Sequence, residues 1–128
     1  MKGFVTDIEK QTLENTDYRR VLYTAKDLQL VLMSIEPGDE IGAETHDLAQ
    51  FIRLEQGSGK AILNGEKHVI EDDWAVLIPA GVEHNIINTG NQPMKVYSLY
   101  APPEHKDGVL HVSKADESEE HFDGETTE

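Results

Sequence analysis

The chain contains no cysteine, which excludes disulfides, thiolate metal sites and cysteine nucleophiles. It has no apolar run near the roughly 20 residues that a membrane-spanning helix needs. The N-terminus also lacks the basic start, apolar stretch and cleavage site of a secretory signal. These absences predict a soluble protein of the reducing cytoplasm, and any metal site in it must use nitrogen and oxygen ligands.

Basic residues are scarce, since 11 Lys and Arg stand against 25 Asp and Glu, for a formal net charge of -14. Seven of the acidic side chains lie within residues 116–128, which hold no lysine or arginine. Such a field repels phosphate backbones and anionic lipid surfaces. We therefore expect a small-molecule partner, and we expect neither nucleic-acid nor membrane binding.

Helical periodicity is almost absent, whereas short β-like runs separated by Gly, Asn, Asp and Pro fill the chain. Asn64-Gly65 is the strongest turn signal, because a type I′ hairpin turn needs positive φ at both central positions. The pattern is typical of an all-β sandwich or barrel. It predicts eight strands, over residues 20–24, 28–35, 50–56, 59–63, 67–70, 75–78, 84–88 and 94–101.

The length of 128 residues predicts one domain. The residue pattern divides this domain into three parts. Residues 1–19 are expected to form an N-terminal strand or loop extension, in which Val5 and Ile8 fit an edge strand. Residues 20–112 form the barrel. Residues 113–128 have the low hydrophobicity and high charge of a disordered acidic tail.

Potential metal ligands follow one another at even spacing in Glu44, His46 and Gln50. Side chains alternate between the two faces of a strand, so these three share a face if the strand phase is unbroken between them. Further along, a strand runs into a Pro-x-Gly turn, and His84 begins the returning strand. An imidazole at that position can complete a site that begins at residue 44.

Both segments resemble the motifs of the cupin superfamily in residue type and spacing. The first motif is matched by Gly38, Glu44, His46, Gln50 and Gly57, and the second by Asp73, Pro79, Gly81, His84 and Asn88. The resemblance covers residues 28–101. It implies an all-β, single-domain cupin fold, which is a double-stranded β-helix or jelly-roll barrel. It also implies a metal ion held by Glu44, His46, Gln50 and His84, and a homodimer.

Two departures from the family pattern lie at ligand positions. Glu44 stands where the family has its first histidine, and Gln50 stands where it has glutamate. The set keeps two imidazoles and one carboxylate, which favours a working site and suits one divalent ion of Mn, Fe, Co, Ni or Zn. Gln50 is the least secure ligand, because its amide oxygen can instead bond to a bound water or substrate. The alternatives are a surface carboxylate for Glu44 and satisfied interior histidines for His46 and His84.

Three functions stay open at this point. The first is metal-dependent isomerase-type chemistry on a sugar or sugar acid, motivated by resemblance to small cupins similar to phosphomannose isomerase. Its candidate catalytic base is Glu44, with Glu40 or a tyrosine as weaker candidates. The second is a dioxygenase that uses Fe, Mn or Ni. The third is a non-catalytic binding or sensing module, because fold alone does not determine function.

The other four histidines are expected to be ordinary surface residues. We place His68 on a solvent-facing hairpin, His121 in the acidic tail, and His105 and His111 in a surface loop rather than over the barrel mouth.

Overall fold

A computed structural model describes residues 2–128 and shows a mostly β chain with one short α-helix. Met1, part of the predicted N-terminal extension, lies outside the described residues. All eight predicted strands are present, and their bounds differ from the prediction by at most one residue. No helix within residues 2–128 has the length and apolar character needed to cross a bilayer. The elements are α1 (Ile8–Glu14), β1 (Arg19–Thr24), β2 (Gln29–Ile35), β3 (Ala49–Gln56), β4 (Ser58–Leu63), β5 (Glu66–Glu71), β6 (Ala75–Ile78), β7 (His84–Asn88), β8 (Met94–Ala101), β9 (Leu110–His111) and a 3₁₀ turn (Lys114–Asp116).

The strands form two antiparallel sheets whose inner faces enclose the core. The larger sheet has the order β6-β3-β8-β2-β1-β9 and the smaller has the order β5-β4-β7. In β3, the buried residues Gln50, Ile52 and Leu54 alternate with the half-buried residues Phe51 and Arg53. Successive side chains of a strand point to opposite faces, so this alternation turns one face of the sheet inward. The predicted all-β, single-domain jelly-roll barrel is confirmed.

An irregular segment, residues 38–44, extends the smaller sheet beyond β7. The backbone N–H groups of Gly38, Ile41 and Glu44 donate to carbonyls of β7 at 3.0, 3.0 and 2.9 Å. The segment therefore runs antiparallel to β7. This pairing brings the start of the first motif beside the end of the second.

Left-handed backbone at two turns explains the residue types found there. Asn64 has a φ of 48° and Gly65 a φ of 83°, as the predicted type I′ turn requires. Asp73, which stands where the second motif has glycine, has a φ of 71°. Aspartate tolerates this conformation better than most residues, and its Oδ1 accepts a hydrogen bond from Arg53 at 3.1 Å. The exchange of glycine for Asp73 thus leaves the turn intact.

Gly59 lies where β4 meets β7 too closely for any side chain. A Cβ atom at this position would stand 2.0 Å from the carbonyl oxygen of Ile87 and 2.6 Å from Cε of Met94. Met94 is fully buried. The junction of the smaller sheet with the core therefore requires glycine at residue 59.

The N-terminal segment forms helix α1 in place of the edge strand expected there. The carboxylate of Asp7 caps the helix by accepting a hydrogen bond from the backbone N–H of Lys10 at 3.2 Å. Thr12 is fully buried, and its hydroxyl donates to the carbonyl of Ile8 at 2.7 Å. The N-cap residue and the burial of Thr12 favour a helix here. So short a helix shows little periodicity in the sequence.

The acidic tail, for which disorder is predicted, lies along the barrel mouth in the structure. The backbone N–H groups of Lys106, Phe122 and Thr127 donate across to facing segments at 2.9, 3.0 and 2.9 Å. Backbone pairing and ion pairs supply the contacts that the low hydrophobicity of the tail cannot. We call residues 113–122 the strap. The division into residues 1–19, 20–112 and 113–128 stays a prediction.

An apolar row crosses the outer face of the larger sheet. Leu77, Phe51, Leu99 and Leu30 are direct neighbours on β6, β3, β8 and β2. Leu77 is 67% exposed. The predicted homodimer stays a prediction.

Candidate metal centre

Glu44 and His84 face each other at the edge of the smaller sheet. Each donates its backbone N–H to the carbonyl of the other at 2.9 Å. Directly opposite residues of an antiparallel ladder point their side chains to the same face. The two motifs therefore present one ligand group each, side by side.

His46 is held next to this pair by the Pro-x-Gly turn. The backbone N–H of Gly81 donates to the carbonyl of His46 at 2.8 Å. The rings of His46 and His84 have centroids 5.1 Å apart. One ligand atom from each of Glu44, His46 and His84 lies within 4.8 Å of the others. The structure thus brings three of the four predicted ligands together in one group.

Gln50 reaches the mouth from the other sheet. The chain bends at residues 47–48 before β3 begins, so the condition for one shared strand face, an unbroken phase from Glu44 to Gln50, is not met. Gln50 is buried, and its Nε2 donates to Ser98 Oγ at 3.3 Å and to the Tyr100 hydroxyl at 3.1 Å. Its Oε1 is buried with no hydrogen-bond partner among residues 2–128. Gln50 as a direct ligand stays a prediction.

The donor atoms of this group fit a divalent metal ion. Nδ1 of His84 lies 2.9 Å from the carbonyl of Val82, which can only accept, so Nδ1 carries the proton and Nε2 the lone pair. Within residues 2–128, Nε2 of His84 is buried without a partner, as is Oε1 of Gln50. Buried lone pairs of this kind cost free energy unless a donor or a cation meets them. The 3.0 Å between His46 Nε2 and Glu44 Oε2 also matches two adjacent ligands with bonds of about 2.1 Å.

Glu44 and His46 shift the pKa of each other through their 3.0 Å contact. Burial alone would raise the pKa of Glu44, but the hydrogen bond with His46 and the positive charges nearby outweigh it and lower that pKa. The same hydrogen bond to Glu44 raises the pKa of His46 above its usual value. A metal ion at this site would compete with protonation of His46, since ligands bind metals in their deprotonated forms.

Glu44 and His46 of the ligand group border a polar cavity of about 480 Å³ at the barrel mouth. That volume lies within the range of small-molecule sites. The side chains around it are almost all charged or hydrogen-bonding, which suits a polar ligand. The cavity is lined by Arg19, Ala43, Glu44, Thr45, His46, Glu104, His105 and strap residues 117–121.

Two charged residues of this cavity escaped the sequence analysis. Arg19 is only 4% exposed, and Glu104 places Oε1 3.5 Å from Nδ1 of His46. Strand alternation could have predicted that Arg19 points inward, because it alternates with Arg20 and shares the inward face of β1 with the buried Val21. Glu104 lies in an irregular segment after β8, where no periodicity marks it.

A family model described as a cupin domain matches residues 31–100. The chain belongs to the cupin family. This match confirms the resemblance drawn from the two motifs, while the finer similarity to phosphomannose-isomerase-like cupins stays a prediction.

Relatives of this cupin are similar along most of its length. The uncharacterized protein YrkC of Bacillus subtilis is 46% identical over 123 residues, which are 90% of this chain and 66% of YrkC. The uncharacterized protein L612 of Acanthamoeba polyphaga mimivirus is 39% identical over 87% of this chain and 72% of L612. BH2720 from Bacillus halodurans is 45% identical to this chain in sequence. Its crystal structure matches with a TM-score of 0.88 over 90% of this chain and 92% of that one. The cupin thus spans just under two thirds of the length of YrkC.

Two further histidines of this cupin lie at the mouth. His111 belongs to β9, is 5% exposed, and places Nδ1 3.3 Å from Nη1 of Arg19. The ring of His105 packs edge-on against Tyr100, with centroids 5.1 Å apart. The expectation of a surface loop for both was wrong, because the chain after β8 folds back to pair with β1 and closes the mouth.

The weaker candidates for a catalytic base find no support in the geometry. Burial raises the pKa of Tyr100, so its hydroxyl keeps its proton. Glu40 accepts a hydrogen bond from Asn85 at 3.2 Å and is not among the residues that line the cavity.

His105 makes the stability of this cupin depend on pH. Burial, the largest cause, lowers the pKa of His105 from 6.5 to about 3. The unfolded chain therefore takes up a proton below pH 6.5 that the folded protein does not, and stability falls as the pH drops. The expected loss in the free energy of unfolding is about 1.4 kcal/mol per pH unit through this range.

Replacing His105 by phenylalanine is expected to remove that slope, because phenylalanine keeps a ring against Tyr100 but takes no proton. Urea unfolding of the wild type and His105→Phe between about pH 6 and 4.5 measures the difference. His68→Phe is the control, since His68 is exposed on β5. Equal slopes in the wild type and His105→Phe would contradict the prediction.

Proposed function

We propose that this cupin is a metal-dependent enzyme that acts on a small polar molecule, by isomerase-type chemistry on a sugar or sugar acid. One observation carries the proposal. Two members of the ligand group, Glu44 and His46, line a polar cavity that also holds Glu104, a carboxylate outside the group. A ligand group with a carboxylate beside it that is not itself a ligand is an arrangement suited to metal-assisted proton transfer.

The ligand set would hold one divalent transition-metal ion of Mn, Fe, Co, Ni or Zn. His46 and His84 supply imidazole nitrogens, Glu44 a carboxylate oxygen, and Gln50 an amide oxygen. When bound, such an ion polarises a carbonyl and the hydroxyl beside it. The hydrogen bonds from Gln50 Nε2 to Ser98 and Tyr100 keep its amide oxygen free for this role.

Glu104 is the better candidate for the base, in place of Glu44, whose carboxylate belongs to the ligand group. The side chain of Glu104 is 15% exposed, and its Oε1 lies 3.2 Å from Nδ1 of His121. A carboxylate so placed can take a proton from the carbon next to a carbonyl and return it to the neighbouring carbon.

A dioxygenase is the second candidate, because two imidazoles and one carboxylate are also the ligands of oxygen-activating iron sites. The side chains that line the cavity favour the isomerase. Arg19, Glu104 and His105 suit a hydroxylated or charged molecule better than an apolar aromatic one.

The test follows hydrogen exchange in deuterated water. We expect the metal-loaded protein to place deuterium next to the carbonyl of an aldose phosphate, a ketose phosphate or a uronate, as read by NMR. Glu104→Gln should slow this exchange by about 100-fold or more, while its metal affinity in calorimetry stays close to that of the wild type. Glu125→Gln is the matched control, because Glu125 is exposed in the acidic tail and does not line the cavity.

Other outcomes would reassign the site. Absence of exchange together with oxygen uptake from a diketone or polyphenol by the iron-loaded protein would favour the dioxygenase. Sugar binding with neither reaction would favour a binding or sensing module. A collapse of metal affinity in Glu104→Gln would make Glu104 a positioning residue for His46 rather than a base.

A further inference from the structure

Arg19 is a buried cation whose hydrogen-bonding capacity is only partly used. Its Nη1 donates to Glu117 Oε2 at 2.7 Å and lies 3.3 Å from His111 Nδ1. Its Nε is buried with no partner among residues 2–128. A buried guanidinium costs free energy unless anions and acceptors satisfy it. Arg19 therefore has both the charge and the free donor for an anionic ligand.

The guanidinium lies in the same cavity as the ligand group. Arg19 is the only lysine or arginine among the cavity-lining residues, all within the described range 2–128. Its charge is near enough to help lower the pKa of Glu44. The ring of Tyr18 lies 5.2 Å from its Cζ and flanks it. A molecule held at Glu44 and His46 would meet one fixed positive charge, that of Arg19.

Glu117 brings a carboxylate to Arg19 from the strap, which is peripheral to the barrel. The side chain of Glu117 is 32% exposed, although the arginine that it contacts is buried. The strap runs across the mouth through backbone hydrogen bonds that pair residues 104–106 with 120–122. Glu44 and Glu104 also line the cavity, so the carboxylate of Glu117 stands among like charges and is held by Arg19.

We propose that Arg19 is the carboxylate-binding residue of the cavity, and that Glu117 is an internal occupant which the carboxylate of an acidic ligand displaces. An incoming carboxylate would take over the charge-assisted hydrogen bond that Nη1 now donates to Glu117. The inference rests on the proposed function for the place of the ligand. It narrows that ligand from sugars in general to sugar acids.

The test compares uronates with their uncharged parent sugars. Calorimetry of the metal-loaded protein with D-glucuronate and D-galacturonate, against D-glucose and D-galactose, isolates the contribution of the carboxylate. We expect Glu117→Ala to bind the uronates about tenfold more tightly than the wild type, because Arg19 no longer has a competing partner. Binding of the parent sugars should not change.

Glu125→Ala is the matched control for charge. It removes the same charge from the same acidic tail, but Glu125 is exposed, does not line the cavity and does not contact Arg19. Its uronate affinity should stay within about twofold of the wild type. An equal gain in Glu117→Ala and Glu125→Ala would overturn the proposal in favour of general relief of repulsion.

Arg19 variants complete the test. Arg19→Gln should abolish the preference for uronates, and Glu117→Ala should then give no gain in the double variant. Circular dichroism checks that the fold is retained. If Arg19→Gln does not fold, Arg19→Lys keeps the charge without the planar fork and should lower the uronate preference severalfold.

Failure of the inference can be told apart from failure of the proposed function. Uronate binding that depends on Arg19 without deuterium exchange would reject the isomerase and keep the inference. Exchange on sugar phosphates without any preference for uronates would reject the inference alone. Unchanged or weaker uronate binding in Glu117→Ala would also overturn it, because Glu117 would then be a purely structural partner of Arg19.

Discussion

Replacing His84 by alanine is expected to lower the affinity of the protein for Co²⁺ by about 100-fold or more. His84 is the predicted ligand that a backbone contact orients, since its Nδ1 faces the carbonyl of Val82 at 2.9 Å and leaves Nε2 for a metal. The substitution removes the imidazole but leaves the backbone pairing with Glu44 in place. Metal affinity should therefore fall while the barrel stays folded.

Calorimetry and the visible absorption of bound Co²⁺ measure this loss. His68→Ala is the control, because it removes an exposed imidazole of β5 from outside the ligand group. Affinities of His84→Ala and His68→Ala that agree within about threefold would contradict a metal centre at His84. Gln50→Ala extends the series and shows whether the amide is a ligand, since loss of a weaker ligand should lower the affinity by a smaller factor.

The largest effect on stability is expected for Gly59→Ala. The added methyl group would stand 2.0 Å from the carbonyl oxygen of Ile87, so β4 and β7 have to separate. We expect the free energy of unfolding to fall by about 3 kcal/mol or more, at the upper end of overpacking effects.

Urea unfolding at neutral pH tests this prediction, with Lys60→Ala as the control. Lys60 is the next residue of β4, and its side chain is exposed. Because β7 also begins with His84, Gly59→Ala should weaken Co²⁺ binding even though residue 59 is not a ligand. A loss of stability no greater than that of Lys60→Ala would show that the two strands can yield at low cost.

The strands and the positions of His46 and His84 could be predicted from sequence because each depends on local rules. The strand pattern predicted β3, whose burial alternates in the structure, and the turn residues Asn64-Gly65 predicted the hairpin between β4 and β5. Spacing within the motifs placed His46 and His84. What failed was the path between Glu44 and Gln50, since a bend at residues 47–48 puts the two residues on different sheets.

Residues that reach the mouth from outside the motifs could not be placed in the same way. Glu104, His105 and Glu117 belong to segments without regular periodicity, and only the return of the chain to β1 and the crossing of the strap bring them to the cavity. Contacts of this kind depend on tertiary structure. Arg19 is the exception, because the alternation of side chains along β1 could have predicted that it points inward.

The exchanged ligand types follow the exposure of their positions. The side chain of Glu44 is 33% exposed, whereas Gln50 is 6% exposed and lies on the inner face of β3. Burial of a carboxylate costs much more than burial of a neutral amide. The exchange therefore keeps the charge of the set and moves it to the more solvated position.

The strap also sets an order of events for ligand entry. Glu117 is joined through the backbone to the segment that pairs with residues 104–106, so its departure from Arg19 is coupled to movement of that segment. Association would then consist of an opening step followed by capture. In stopped-flow experiments, the observed rate would level off at high ligand concentration, and the plateau would measure how often the mouth opens.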